Sequence, residues 1–296
     1  MRHSQLRAFH YVAHLGGFSR AAEFLLLSQP AISEQVGKLE QEHDVLLFRR
    51  ERKRVLLTPE GEQLFQFTKQ YFELEQQMDE YLSSKSAVVD GELRIIADSA
   101  HHITFVLGKF RKKYPNVSVM LRTGNTEEIL GDLRAYNAEI GVVGSLTPGS
   151  DMATLNLGST KITAFAARDT KLASKRKLTF QELSRYPLVF RESGSKTRQK
   201  LEDEAKKHGV ILKPAIIAEG REAVREVVAS GAGIGFVSLA EYVRDDRFIT
   251  IELLDADIQM SETMVHLTQR RDVRAICAFM AVAKKIQSEK ENTTAI

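Results

Sequence analysis

The chain has 296 residues, 43% of them hydrophobic and 27% charged, which suits two ordinary domains with separate cores better than one large domain. Nowhere do eighteen apolar residues run together, which excludes a membrane-spanning helix, and the opening MRHSQLRAFHYV lacks an apolar export signal, so a soluble cytoplasmic protein without a membrane partner is expected. The single cysteine, Cys277, excludes an internal disulfide and a thiolate metal cluster; within the predicted helix DVRAICAFMAVAKKI it is expected to be a small core residue. A net charge of +3 is too small to mark a nucleic-acid binder, so the local distribution of charge has to decide.

That distribution is uneven. Residues 1–58 carry nine Lys/Arg against six Asp/Glu, whereas residues 59–89 carry two against six. The basic excess concentrates in FRRERKRV, where Arg49, Arg50, Arg52, Lys53 and Arg54 surround Glu51. Such a run alone is most often a solvated face.

Leu6, Phe9, Val12, Ala13 and Leu15 recur at helical spacing until Gly16 and Gly17 stop the helix. Ser19 is a candidate cap for a second helix, in which Ala21 and Ala22 are small enough for another helix to approach. A third begins at Ser28 with Pro30 in its first turn, and Ile32, Val36 and Leu39 form its apolar stripe. Its polar face carries Gln29, Ser33, Gln35 and Lys38, side chains able to bond base edges or phosphates in a major groove. VLLFRRERKRVLLTPEG then reads as two short strands with a basic turn, a wing whose cations would contact phosphates and add salt-sensitive affinity.

LRAFHYVAHLGGFSRAAEFLLLSQPAISEQVGKLEQEHDVLLFRRERKRVLLTPEGEQL resembles the DNA-binding domain of LysR-type transcriptional regulators, whose pattern is SxAAxxLxxSQPAxSxQIxxLE, then LFxR, then LTxxG. The resemblance implies a domain at residues 1–58 that binds a double-stranded operator, with Ser28, Gln29, Pro30, Ser33, Glu34, Gln35 and Lys38 on a recognition helix and Arg52, Lys53 and Arg54 in the wing. Glu34 departs from the pattern: members often carry a basic residue there, and an acid repels phosphate or selects a cytosine amino group.

Residues 59–89 are expected to form a linker helix and a short polar hinge. Leu64, Phe67, Tyr71, Leu74, Met78 and Tyr81 step by three, four, three, four and three residues, a heptad seam that suits dimerisation; the bland alternative is a helix packed on its own domain. Pairing two heads on a dyad-symmetric site multiplies specificity. The resemblance implies homodimers that build homotetramers, and RNA polymerase as a partner if the chain is an activator.

From residue 90 to 296 strands and helices alternate, first as β-α-β-α-β, then in a second round after Lys161, before TMVHLT and a last helix return to the first lobe. The expected fold class is α/β: a winged helix-turn-helix, a linker helix and a two-lobed effector domain like periplasmic binding proteins, with lobe I at 90–160 and 265–296 and lobe II at 161–264. Ligands of open α/β sheets sit outside the carboxyl ends of strands, near helix N-termini. The loops that satisfy this rule contribute Ser99, His101, His102, Asn125, Thr126, Ser145, Ser193, Ser195 and Thr197, with Arg198 or Arg221 to neutralise an acid. Each Ser or Thr is by itself an ordinary cap; four such loops converging suggest a small anionic effector.

The stretch from Ala97 to Ser145 resembles regulators associated with aminoethylphosphonate use, which share an AD-x-x-x-H start, a GN-[ST] loop and a Y-x-A-[DE]-[IV]-x-V-x-G ending. That resemblance implies a phosphonate effector. Adjacent His101 and His102 cannot chelate as an i, i+4 pair would, so neither a metal nor a cofactor is expected. GAGIG at Gly231–Gly235 follows a helix and enters a strand, the reverse of a dinucleotide-binding order. Two rival readings of the lobed domain are an enzyme, for which no nucleophile elbow, ligand cluster or phosphate loop is present, and a solute-binding receptor.

Overall fold

The computed structural model describes residues 1–51, 54–82, 89–145, 149–242 and 245–294. They fall into two compact units, Met1–Ser86 and Ala87–Ile296.

In the first unit, α1 (His3–Leu15) ends at Gly16, whose φ of 69° is the left-handed cap conformation that a side chain disfavours. Helix α2 (Phe18–Leu25) starts one residue later with Gly17 in the capping position, so Ser19 lies inside the helix rather than at its cap. Helix α3 (Gln29–His43) begins as its sequence suggests: the Ser28 hydroxyl accepts a hydrogen bond from the Ala31 N–H at 3.3 Å and Pro30 occupies the first turn. Strands β1 (Phe48–Glu51) and β2 (Arg54–Leu57) pair antiparallel, Phe48 opposite Leu57 and Glu51 opposite Arg54, and make the wing. Arg52 and Lys53 at its tip lie outside the described residues.

Phe9, Val12, Ala21, Ala22, Ile32, Val36, Leu39 and Leu47 form the core of this unit. The long α4 (Pro59–Leu82) lies against it through Leu64, Phe65 and Phe72. Between α1 and α4, His10 is buried beside the rings of Phe65 and Phe72, its Nδ1 3.1 Å from Thr68 Oγ1. Burial, aided by the charges of His14 and Lys69, pushes its pKa down to about 4, so a neutral imidazole packs here at pH 7.

The second unit opens with β3 (Gly91–Ala97), a single 3-10 turn at Ala100–His102, α5 (Thr104–Lys113), β4 (Val117–Thr123), α6 (Thr126–Arg134) and β5 (Ile140–Gly144). Strand β3 pairs in parallel with both β4 and β5, as the β-α-β-α-β reading requires. Strand β5 is buried at every residue, as expected for a strand covered on both faces. The 16-residue β6 (Met152–Ala167) then runs beside the later β12 (Gln259–Leu267) in the first lobe and continues into the second.

The second lobe adds β7 (Lys177–Leu178), α7 (Phe180–Leu183), β8 (Leu188–Arg191), α8 (Lys196–Lys207), β9 (Pro214–Ala218), α9 (Gly220–Ala229), β10 (Gly235–Ser238) and β11 (Phe248–Leu253). The far half of β6 pairs with β10 and β11, whereas β8 pairs with β9. Strand β12 returns to pair with β5 and β6, and α10 (Arg274–Thr294) packs Ile276, Phe279, Ala283 and Ile286 onto the first lobe. Cys277 lies on the opposite side of this helix and is exposed, which corrects the expectation of a core residue; its thiol donates to the Arg271 carbonyl at 2.7 Å.

Candidate DNA interface and effector cleft

Helix α3 keeps Gln29, Pro30, Glu34 and Lys38 exposed, while Ser33 and Gln35 are half-buried. Three of these side chains already have partners. Gln35 Oε1 accepts from the Ser4 hydroxyl at 3.0 Å, and Lys38 Nζ lies 2.6 Å from Glu34 Oε1 one turn away. The Lys38 hydrogen bond and charge hold the Glu34 carboxyl below its ordinary range, so it is ionised at neutral pH and offsets the lysine. Ser28 and Arg54 are exposed at the start of the helix and in the wing.

On α4, the heptad residues divide between two surroundings. Leu64 turns toward the core of its own unit, whereas Phe67 (60%), Tyr71 (45%), Leu74 (56%) and Met78 (52%) are exposed far beyond what large apolar side chains show in a packed helix. The side chain of Tyr81 lies outside the described residues.

In the lobed unit, a cavity of about 450 Å³ opens where the loops after β3 and β4 meet α9 and the ends of β8 and β10. Five of the expected residues line it: Ser99, His101, Asn125, Thr197 and Arg221. Asn125 caps α6, accepting from the Glu128 N–H at 3.1 Å while Glu128 Oε2 accepts from the Asn125 N–H at 2.9 Å. Across from it stands Gly194, at φ 88°; a Cβ there would come within 2.9 Å of Asn125 Oδ1. The two lobes touch at this corner because that residue has no side chain.

The other expected residues do not line the cavity. Thr126 is buried in the first turn of α6. Ser145 is tied to β12, its hydroxyl accepting from the Ser261 N–H at 3.3 Å. Ser193 is exposed, and Ser195 caps α8 with a buried hydroxyl that has no hydrogen-bond partner. Arg198 donates to Glu202 at 3.0 Å and to the Arg191 carbonyl at 3.2 Å. His102 is buried, its Nε2 2.8 Å from Glu241 Oε1 and 3.4 Å from Glu262 Oε1.

Sequence reading missed the acidic lining. Asp98, Glu128, Glu192, Glu219, Glu222 and Glu241 face the cavity, against Arg191, Arg221 and Arg225. Each arginine has an internal acid: Arg191 pairs with Glu192 at 2.6 Å, Arg225 with Asp245 at 2.6 Å and Arg221 with Glu241. Phe165, Val224, Phe236, Val237, Tyr242 and Phe248 supply an apolar wall. Burial, reinforced by the Glu262 and Glu241 charges, raises the Asp98 pKa to about 8. Burial disfavours a charged His102, but the hydrogen bond to Glu241 and the nearby carboxylate of Glu262 outweigh it and raise that pKa to about 9.

A winged helix-turn-helix joined in one chain to a two-lobed unit with a cleft of small-molecule size defines a ligand-responsive DNA-binding regulator. Residues 3–62 match the family of bacterial regulatory helix-turn-helix proteins of the lysR type, and residues 86–287 match the LysR substrate binding domain. The chain therefore belongs to the LysR family of transcriptional regulators, whose fold is regulatory and not catalytic. It is 29% identical over 287 residues to a RuBisCO operon transcriptional regulator of Allochromatium vinosum, covering 96% of this chain and 95% of that one. It is 27% identical to the HTH-type transcriptional activator CmpR of Synechocystis, over 79% of this chain and 78% of the relative. Among solved structures it resembles full-length OxyR from Pseudomonas aeruginosa (TM-score 0.75, 20% identity, 96% and 95% covered). It also resembles full-length CbnR in complex with its target DNA (TM-score 0.67, 18% identity, 96% and 99% covered). No helix among the described residues is long and apolar enough to cross a membrane.

Proposed function

We propose that α3 and the wing read operator DNA as a pair of heads joined through Phe67, Tyr71, Leu74 and Met78 of α4, and that the cleft binds a small zwitterion. The observation that carries the ligand reading is the lining of the cleft: six carboxylates face it and every arginine there is already paired, so a bare anion finds no unpaired guanidinium. A molecule with an anionic head for the α6 N-terminus at Asn125 and an ammonium for the carboxylates fits both ends. 2-Aminoethylphosphonate has this chemistry and is the compound to try first. Isothermal titration of the full-length chain should give saturable binding of 2-aminoethylphosphonate and little heat with methylphosphonate, which lacks the amine. Silence toward 2-aminoethylphosphonate at about 1 mM would remove it as the effector.

The ligand acts by stabilising one lobe arrangement over another, since equal affinity for both shifts nothing. If that arrangement promotes transcription, RNA polymerase is the further partner, as for the relative named an activator.

For DNA, the Glu34–Lys38 pair supplies a test. Glu34→Gln releases the Lys38 ammonium, and binding to duplex DNA should strengthen several-fold at low salt while the log–log salt slope steepens by about one unit. Fluorescence anisotropy across a salt series measures both quantities, and an unchanged slope takes Lys38 out of the interface.

A further inference from the structure

Asp98 and Glu241 do more than line the cavity. Asp98 follows β3, His102 ends the turn after it, Glu241 lies just beyond β10, and Glu262 stands in β12 where its register against β6 shifts. One donor atom from each of the four lies within 4.8 Å of the others. Arg221 and His102 both direct a nitrogen at Glu241 Oε1. Glu262 receives much less: its side chain is 4% exposed, neither carboxylate oxygen has a hydrogen bond, and among the described residues its ion-pair partner is His102 Nε2 at 3.4 Å. Asp98 Oδ1 is also buried without a hydrogen-bond partner. A buried carboxylate left in this state is costly and calls for a partner.

The backbone is shaped to allow this convergence. The Cα partners of Glu262 on its two neighbouring strands are Gly144 and Gly158, so neither presents a side chain beside it. A Cβ at Gly144 would stand 3.1 Å from Asp98 Oδ2, and its absence leaves the carboxylate room. The register shift beside Glu262 leaves Leu157 of β6 unmatched, an irregularity of the kind that recurs where a sheet is locally bent next to a site.

From this geometry we infer that Asp98, His102, Glu241 and Glu262 bind one divalent transition-metal ion of the Mn²⁺ or Zn²⁺ type. Three carboxylates and one imidazole form an oxygen-rich set with a single nitrogen, which suits these ions and gives Cu(I) none of its soft ligands. At metal–ligand distances of ~2.0–2.2 Å, donors on opposite sides of an ion are ~4.2 Å apart, so four atoms already within 4.8 Å close on one with small side-chain movements. Charge agrees as well: three carboxylates, the Arg221 guanidinium and a divalent ion sum to zero with His102 neutral. The ion ties lobe I, through Asp98 and His102, to Glu241 of lobe II and to Glu262 of β12, and so fixes the cleft whatever ligand enters it.

The test uses the full-length chain, freed of metal with a chelator and titrated separately with MnCl₂ and ZnCl₂. One equivalent per chain should bind, with a rise in melting temperature. Glu262→Gln should weaken binding by more than about 100-fold, beyond the loss typical of an outer-sphere partner. Pulsed electron paramagnetic resonance of the Mn²⁺ form should show one histidine nitrogen, lost in His102→Gln. Absence of saturable binding by the wild-type chain up to about 1 mM of either ion, or binding that survives both Glu262→Gln and Asp98→Asn, overturns the site. Because metal alone is the probe, failure here leaves the zwitterion reading untouched.

Discussion

Replacing Glu139 by alanine is expected to destabilise the lobed unit by about 3–5 kcal/mol, the range for breaking a buried ion pair from one side. Glu139 sits just before β5 and is 5% exposed. Its Oε1 accepts from Arg94 Nη2 at 2.5 Å and from Arg270 Nη2 at 3.0 Å, while Oε2 accepts from the Arg94 N–H at 2.6 Å. Arg270 is itself 5% exposed, stacked 4.8 Å from the centre of the Tyr136 ring and donating to the Ala138 carbonyl. Alanine would take from this buried guanidinium and from Arg94 the carboxylate that both share. The same cluster sets an acid limb. Burial alone would raise the Glu139 pKa, but the Arg94 hydrogen bond and the Arg94 and Arg270 charges outweigh it and hold it below its ordinary 4.5. The stabilisation is thus fully present above pH 4.5 and is lost as pH falls through the lower folded value. Urea unfolding at pH 7 and at pH 4 should show the variant's deficit shrinking toward the acid side; a deficit under about 1 kcal/mol at pH 7 would mean that water replaces the carboxylate.

The second large effect is expected at Gly61→Ala. Helix propensity predicts a gain of about 1 kcal/mol for this change. Packing predicts the opposite and wins. An alanine Cβ would stand 2.1 Å from the Leu47 carbonyl oxygen and 3.0 Å from its carbon. That oxygen is held by the Thr58 N–H at 3.0 Å, and the Thr58 hydroxyl is bonded to the neighbouring Leu46 carbonyl, so this segment before β1 cannot retreat cheaply. A loss of about 3 kcal/mol in the DNA-binding unit follows, at the upper end for overpacking. Gly37 of α3 is the control, because a Cβ there meets nothing within 4 Å. Gly37→Ala should therefore stabilise by up to about 1 kcal/mol, and equal signs at the two sites would refute the steric account.

These cases mark where sequence patterns stop being informative. The head was legible because its signals are local: Ser28 and Pro30 start α3, Gly16 ends α1, and the apolar spacing of Phe9, Val12, Ile32, Val36 and Leu39 is the core itself. Helix α4 was half legible. Its heptad spacing is present, yet the helix serves two surfaces, and only three-dimensional packing assigns Leu64 to one and Phe67 to the other. In the cleft, the rule about strand ends located Ser99 and Asn125, because a loop's position follows from its order in the chain. Glu219, Glu222 and Glu241 carry no local signal of a site, and Phe165, Phe236 and Phe248 are indistinguishable in sequence from residues that fill a core. Adjacent His101 and His102 diverge in the fold, one facing the cavity and the other with a buried side chain, and the two carboxylates paired with His102, Glu241 and Glu262, lie 139 and 160 positions further along the chain.

The two long strands β6 and β12 have a modular consequence. Lys161 and Gln259 face each other in their ladder, and the next residues remain joined by a 2.8 Å bond from the Ile162 N–H to the Ile258 carbonyl. The second lobe is thus an excursion of the chain whose two ends are neighbours. Replacing residues 162–258 by a two-residue hairpin turn would close the β6–β12 ribbon and leave the β4-β3-β5-β12-β6 order of the first lobe uninterrupted. In such an architecture, half of the ligand's surroundings can be exchanged as a cassette without altering the strands that carry the rest.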